Sequence, residues 1–524
     1  MNQKIICLFI IGLLILSVMM MTGCTKEAAE ETTVPTTPAP PETPPTSPPP
    51  MTIPTPPTPS RTVSEQLLVQ DCSSAIFESW AFSPDCRRMA YQVEVNNKTV
   101  VVVDGVESKQ YDGTGTIVFS PNSKRVAYTA YVGSKSFVVV DGIEGEQYDD
   151  TGTPVFSPDS NRVAYGARIG NKVVVVGDGV VGEQHDGIGE TIETSDTDPS
   201  VHIYGLLAYT FSPDSKHLAY SAQAGNKSFI VVDGVGGKKY DAIGSPVFSP
   251  DGKRLAYTAQ AGNKQFVVVD GIEGKLHDGV GISPVFSPDS QRIAYAAKLG
   301  DKWFMVVDGT EGKQYDAIGR RPIESSTWES TWVNGAIPVF SPDSQRMAYA
   351  AKSGDRWFVV VDGVEGKQYD DVVAYQLVFS PDSKRLAYVA TMGKNSFVVV
   401  DGVEGKQYDE IGSLIFSPDS KRVAYTVRVY TPGTLWNEFV VADGVEGKHY
   451  DYAKAIVFSP DSKRLAYAAV LDEKCFVVVD AMEGKQYDGI ALISGARIIF
   501  DSPNSLHYLA GTGNTMYLVE ERIE

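Results

Sequence analysis

The chain has 524 residues, 43% hydrophobic and 21% charged, the balance of a folded globular protein and not of a disordered one. Its formal net charge of −19 argues against a nucleic-acid partner, because such binding leans on Lys and Arg neutralising phosphates.

At the N-terminus Lys4 precedes an apolar run from Ile5 to Met21, and Met21-Thr22-Gly23-Cys24 follows. This resembles a lipoprotein signal peptide over residues 1–23, with Cys24 as the lipidated residue of the mature chain. Met21 stands where the lipobox usually has Leu, so an uncleaved signal anchor is the second reading. The run is near the ~20 residues that span a bilayer. Either way the remainder is expected at the cell membrane, facing the periplasm or cell exterior. Residues 24–62 then read as a stalk: 13 Pro lie between Pro35 and Pro59, interleaved with Thr and Ser. Such a segment cannot bury a core and favours extended polyproline II.

From residue 63 onward one phrase organises the chain. Phe379–Tyr388 reads FSPDSKRLAY, and ten close copies begin at Phe82, Phe119, Phe156, Phe211, Phe248, Phe286, Phe340, Phe379, Phe416 and Phe458. A degenerate eleventh begins at Phe500, and the commonest spacing is 37 residues. A period of that size marks a repeat architecture. In the fifth copy Pro246–Ser249, Arg254–Gln260, Gln265–Val269 and Lys275–Val280 read as four strands. They are separated by turns at Pro250-Asp251-Gly252, Gly262-Asn263 and Asp270-Gly271. Pro246 suits an edge strand facing a central channel. Four antiparallel strands per repeat predict an all-β fold, a β-propeller of about eleven blades. The phrase and the FVVVDG that follows it resemble the WD40-like propeller repeats of the TolB type, over about residues 78–520. The resemblance implies a propeller and, by analogy of fold, an envelope protein partner.

The eleventh repeat stops after three strands, and Glu65–Gln70 sits where a fourth would precede the first repeat. That segment is expected to complete the last blade and close the ring, which removes exposed sheet edges. One large ring fits this closure. Two smaller rings, split near Arg320–Gly335, fit the usual blade number. Of the five Cys, Cys7 and Cys24 belong to the N-terminal segment. Cys72, Cys86 and Cys475 lie in the repeats, and no disulfide or catalytic thiol is expected of them.

A residue present in every repeat builds the repeat, so function is sought where repeats differ. Three places do. Gly187–Tyr209 and Gly319–Ile337 are expected between a fourth strand and the next first strand, and Val429–Glu438 between strands two and three. On that topology all three crowd one rim, where loops on a rigid scaffold bind partners. The candidate binding residues are Arg320, Arg321, Trp328, Trp332, Tyr430 and Trp436, types enriched at binding hot spots. The competing reading packs these aromatic rings back onto the blades. Glu190, Glu193, Asp196 and Asp198 match no calcium-loop spacing, so no metal and no cofactor is expected. His185 and His277 occupy the slot of a recurrent Tyr and read as repeat variants.

Neither G-x-S-x-G, nor H-E-x-x-H, nor Cys-x-x-Cys occurs, so catalysis has little support. The expected function is a membrane-anchored scaffold in the cell envelope that binds an envelope or extracellular protein, peptide or glycan. The alternative is an enzyme acting on an extracellular polymer, with its site assembled across the channel. A channel lined by repeated Ser and small apolar residues favours the first; converging His, Glu or Arg favour the second.

Overall fold

The computed structural model describes residues 60–72, 75–76, 79–189, 209–281, 283–319, 338–430, 436–492 and 497–524. The signal segment, Cys24 and the stalk up to residue 59 lie outside these residues. The described chain is all-β. Eleven antiparallel sheets follow one another around a β-propeller, numbered here as blades 1 to 11 by the phrase each contains.

Blade 5 shows why the repeat folds as it does. Ala242–Ile243 and Val247–Phe248 both pair with Leu255–Ala261. They form one inner strand broken by a bulge at Gly244, Ser245 and Pro246. Leu255–Ala261 pairs with Lys264–Val269, whose outer neighbour is Ile272–Glu273, extended by a bridge from Gln265 to His277. The inner strand is the channel side, since first strands of neighbouring blades approach one another, as Val339–Phe340 does Val378–Phe379. The second and third strands are buried on both faces and read as apolar runs; the outer strand is exposed.

The expected fourth strand, Lys275–Val280, needs correction. The outer strand occupies 272–277, and Gly279–Val280 already pairs with Lys298 and Ala297 of blade 6. The chain crosses between blades at Asp278, whose carboxylate accepts from Lys264 Nζ in its own blade and from Gly300 N in the next, at 2.7 Å. An Asp at this position makes the same crossing contact at all ten junctions from blade 1 to blade 11.

The opposite face carries a second clasp, made by the repeated phrase itself. Asp141 and Gly142 both have positive φ, 52° and 80°, as a primed hairpin turn requires. The Asp141 carboxylate accepts from Arg125 Nε at 2.8 Å and from Val126 N at 2.9 Å. The same guanidinium reaches the next blade, donating to the Ser160 and Asn161 carbonyls, and lies over the Phe156 ring at 5.2 Å. Ser160, in the left-handed region at φ 68°, accepts from Asn122 N at 2.9 Å. Phe, Ser, Asp and Arg recur because each blade grips its successor with them.

Between the two clasps the core is a series of layers, each shared by two blades. Ala81, Ala90 and Val101 of blade 1 pack with Ile117, Phe119, Tyr128 and Phe137 of blade 2. Burying such a side chain stabilises by about 1.5–3 kcal/mol. A recurrent outer-strand Tyr wedges in edge-on, as Tyr111 does against Tyr128 and Phe137. His185 and His277 fill the same wedge against Tyr220 and Tyr295, as expected of repeat variants.

The ring is single. Blades 6 and 7 stay packed across the expected split, with Met305 against Ile318, Phe340 and Tyr349. Arg61–Val69 pairs antiparallel with Thr515–Ile523, so an N-terminal strand completes blade 11. Leu509 and Leu518 of blade 11 then pack with Phe82, Met89 and Tyr91 of blade 1. Closure has its own contacts: Arg87 pairs with Glu520 and Asp501, and His507 Nε2 donates to the Asp85 carbonyl at 2.7 Å. Inside blade 11 Arg61 meets Glu521, their side chains 9% and 0% exposed. Arg61 also donates to the Met482 and Val477 carbonyls of blade 10, and Glu521 accepts from Tyr508 Oη at 2.6 Å.

Candidate binding site

With the repeated residues accounted for by the clasps, the departures stand out. The insertions do not leave where the sequence placed them. Gly187–Ile188 and Tyr209–Phe211 both pair with Leu218–Ala224. Ala317–Ile318 and Val339–Phe340 both pair with Met347–Ser353. The two longer insertions therefore interrupt the inner strands of blades 4 and 7 at the bulge, and do not join a fourth strand to a first. The bulge is the one point of the inner strand without ladder pairing, so extra residues enter there without disturbing the sheet. The expectation of a single shared rim fails for these two.

The third insertion is smaller than expected, because Val423–Tyr430 and Trp436–Ala442 continue the hairpin, pairing Tyr430 with Trp436. Tyr430 is 58% exposed, and its N–H donates to the crossing Asp409 at 2.7 Å. Beneath this hairpin Arg428 bridges Glu438 and Glu410. Arg320, Arg321, Trp328, Trp332 and the acidic Glu190, Glu193, Asp196 and Asp198 lie outside the described residues. So the structure anchors the ends of those segments, and of the candidate residues it sets Tyr430 and Trp436 opposite one another across the hairpin.

In blades without an insertion the bulge ends in a small exposed residue. Thr116, Thr153, Ser245 and Ser413 occupy it in blades 2, 3, 5 and 9. Gln376, Ala455 and Arg497 stand at the corresponding places in blades 8, 10 and 11. Hydroxyls predominate along this inner edge. No cluster of His, Cys, Asp and Glu suited to a metal ion occurs among the described residues. Cys72, Cys86 and Cys475 form no disulfide among the described residues, and burial pushes Cys72 up to about 11, away from a reactive thiolate.

The outer edge holds a feature that sequence reading missed. Lys on one blade's outer strand pairs with Glu on the next, as in Lys109–Glu144, Lys238–Glu273 and Lys406–Glu446. Eight of the eleven junctions carry this pair, the last joining Lys485 to Glu65 of the closing strand. The Lys485 ammonium beside Glu65 holds that carboxyl below its ordinary range. The Lys and Glu columns of V-E-G-K-Q-Y were visible in the sequence, but only the ring places them face to face.

No family model matches the chain, and no curated protein does. Among solved structures, TolB from Acinetobacter baumannii is 18% identical, with a TM-score of 0.22, over 44% of this chain and 61% of that one. The Dos1 propeller is 11% identical, TM-score 0.30, over 59% of this chain and 90% of that one. The β-propeller domain of the Trilobed protease from Pyrococcus furiosus, titled for its open velcro topology, is 14% identical, TM-score 0.25, over 51% and 91%. These likenesses are partial, and the propeller assignment rests on the eleven sheets and their closure.

Proposed function

We propose that this propeller is a membrane-anchored scaffold of the cell envelope, lipidated at Cys24 and facing the periplasm or cell exterior. There it binds a protein, peptide or glycan. The observation that carries the binding reading is where the repeat is broken: two insertions enter at the inner edge, on blades 4 and 7, of an otherwise uniform ring. Eleven sheets spaced about 10 Å apart enclose a channel on the order of 30 Å across, wider than the ~10–12 Å of an α-helix. An inner edge of hydroxyls supports recognition over proton transfer. On this reading Arg320, Arg321, Trp328 and Trp332 act at the channel wall, while Tyr430 and Trp436 act on a separate hairpin.

The test is a pull-down from envelope extract with the full chain, beside a Trp328→Ala/Trp332→Ala variant. A partner retained by the parent and lost by the variant is the expected result. Retention by both removes the site from the blade 7 insertion. Retention by neither sinks the scaffold reading and turns attention to polysaccharide or peptide turnover.

A further inference from the structure

The junction between blades 11 and 1 departs from the other ten at a buried position. His507 follows Leu506; its counterparts, from Ala90 in blade 1 to Ala466 in blade 10, are all Ala and wholly buried. Those alanines pack toward the next blade, as Ala90 does against Phe119 and Tyr128 of blade 2. His507 therefore puts an imidazole, 2% exposed, into the one seam where the two ends of the repeat array meet. Ser505 stands before Leu506 where nine blades have the clasp Arg, so blade 11 has no guanidinium at that place to grip blade 1.

Both nitrogens of the ring face acceptors. Nε2 lies 2.7 Å from the Asp85 carbonyl of blade 1, and Nδ1 lies 2.8 Å from Asp501 Oδ2. A carbonyl and a carboxylate only accept, so each ring nitrogen carries a hydrogen and the ring is an imidazolium. Arg87 Nη2 donates to the other Asp501 oxygen at 3.1 Å, which keeps that carboxylate ionised, and stands 3.5 Å from Nδ1. Arg87 Nη1 donates to Glu520 at 2.7 Å. Arg497 donates to the Pro84 carbonyl from its guanidinium and to Cys86 Sγ from its backbone N, each at 3.2 Å. Three carboxylates, Asp85, Asp501 and Glu520, thus stand beside two guanidiniums, and the imidazolium brings the group to balance. A neutral ring keeps one N–H and turns a bare lone pair toward one of two buried acceptors, an arrangement that folded proteins avoid.

We propose that His507 is a proton-operated clasp: with its second proton it locks blade 11 to blade 1, and without it that one junction loosens. The Arg87 pairs are solvent-exposed and contribute too little to stand in for it. The loosening is local. The apolar layer of Phe82, Met89 and Leu509 stays, and so does the pairing of Arg61–Val69 with Thr515–Ile523. Imidazole is the side chain that ordinarily changes charge between pH 5 and 8; carboxylates titrate lower and guanidiniums higher. Burial pushes the Cys86 thiol up, further from that range. Glu521, whose carboxyl burial raises, faces Arg61 and Tyr508. The closed seam needs a proton that the open one does not, so loosening is expected as pH rises. The clasp involves no insertion and no partner, so it stands or falls apart from the function proposed above.

The test is hydrogen exchange read by mass spectrometry, on the full chain in detergent at pH 5.5 and pH 8.0, corrected for intrinsic exchange rates. Peptides over residues 83–91 and 505–512 are expected to lose about fivefold or more in protection at pH 8.0. Peptides over 347–353 and 386–392, in blades 7 and 8, are expected not to change. His507→Ala installs the residue of the other ten blades and is expected to make the seam equally protected at both pH values. Asp501→Asn offers Nδ1 an amide donor, so a neutral ring satisfies both neighbours; the dependence is expected to vanish with the seam still protected at pH 8.0. Equal protection of the parent seam at the two pH values overturns the proposal. So does either variant that keeps the parent's dependence, which would assign it to Glu521 or another group. Should His507→Ala fail to fold, Asp501→Asn decides.

Discussion

The pair Arg61 and Glu521 decides how firmly the ring is shut. Both are buried, and burial raises the Glu521 carboxyl while Arg61 opposes the shift. Removing one partner strands the other's charge in the interior, which costs about 3–5 kcal/mol, whereas replacing both with apolar residues costs less. Arg61→Ala is therefore expected to lower the thermal midpoint clearly more than Arg61→Met/Glu521→Met does. Equal losses would show that the pair contributes through packing alone. A second expectation concerns the Asp of the repeated phrase. The Ser157 hydroxyl holds Asp159 down to about 2, and Ser212 does the same for Asp214, also to about 2. The unfolded value is about 3.9. Since folding lowers these pKa values, their contribution is present above pH ~4 and is lost as pH falls from there toward 2. Circular dichroism is expected to stay flat from pH 8 to 5 and to collapse cooperatively below pH 4; a signal unchanged at pH 2 would refute this.

At the scale of the element, one junction is built more weakly than its neighbours. Blade 4 has His217 where blades 1–3 and 5–10 have Arg, and His217 reaches only its own Asp233, at 2.6 Å. The carbonyl contacts to blade 5 and the stacking on its Phe are both missing. Gly252 replaces the usual Ser at φ 75°, and a Cβ there would meet the Asp214 carboxylate at 2.6 Å, so Asp214 fills the room a Ser needs. His217→Arg alone is expected to stabilise by about 0.5–1 kcal/mol, the scale of an exposed ion pair and cation–π contact. A melting curve that does not move would mean the junction is already closed by its core layer. The elements themselves were legible in the sequence because period, turn residues and apolar runs agree at every copy. The exit points of the insertions were not. Gly187-Ile188 and Ala317-Ile318 look like the tail of an outer strand, and only pairing across the sheet assigns them to the next blade's inner strand.

Over the whole molecule, closure was readable because an unfinished last repeat and a spare apolar segment at the front complement each other. The single ring was not settled by sequence, since the contacts that decide it join residues far apart, Leu518 with Phe82 and Arg87 with Glu520. The candidate site was legible only as composition. Trp and Arg are types enriched at binding hot spots, but their presence in an insertion does not say which wall of the ring carries it. The outer belt makes the converse point. Its lysines and glutamates look like ordinary surface charge until the ring sets them opposite one another.

The closing strand has a mechanical meaning as well. Whatever holds the chain upstream of residue 60 pulls on the propeller through Arg61, the first residue paired in blade 11. Tension entering there passes Ser60, whose carbonyl accepts from Glu524 N at 2.9 Å, and then meets the buried Arg61–Glu521 contact, whose Arg also reaches blade 10 through the Met482 and Val477 carbonyls. A load at that point is thus shared by two blades and bears on the most buried ionic contact of the closing strand.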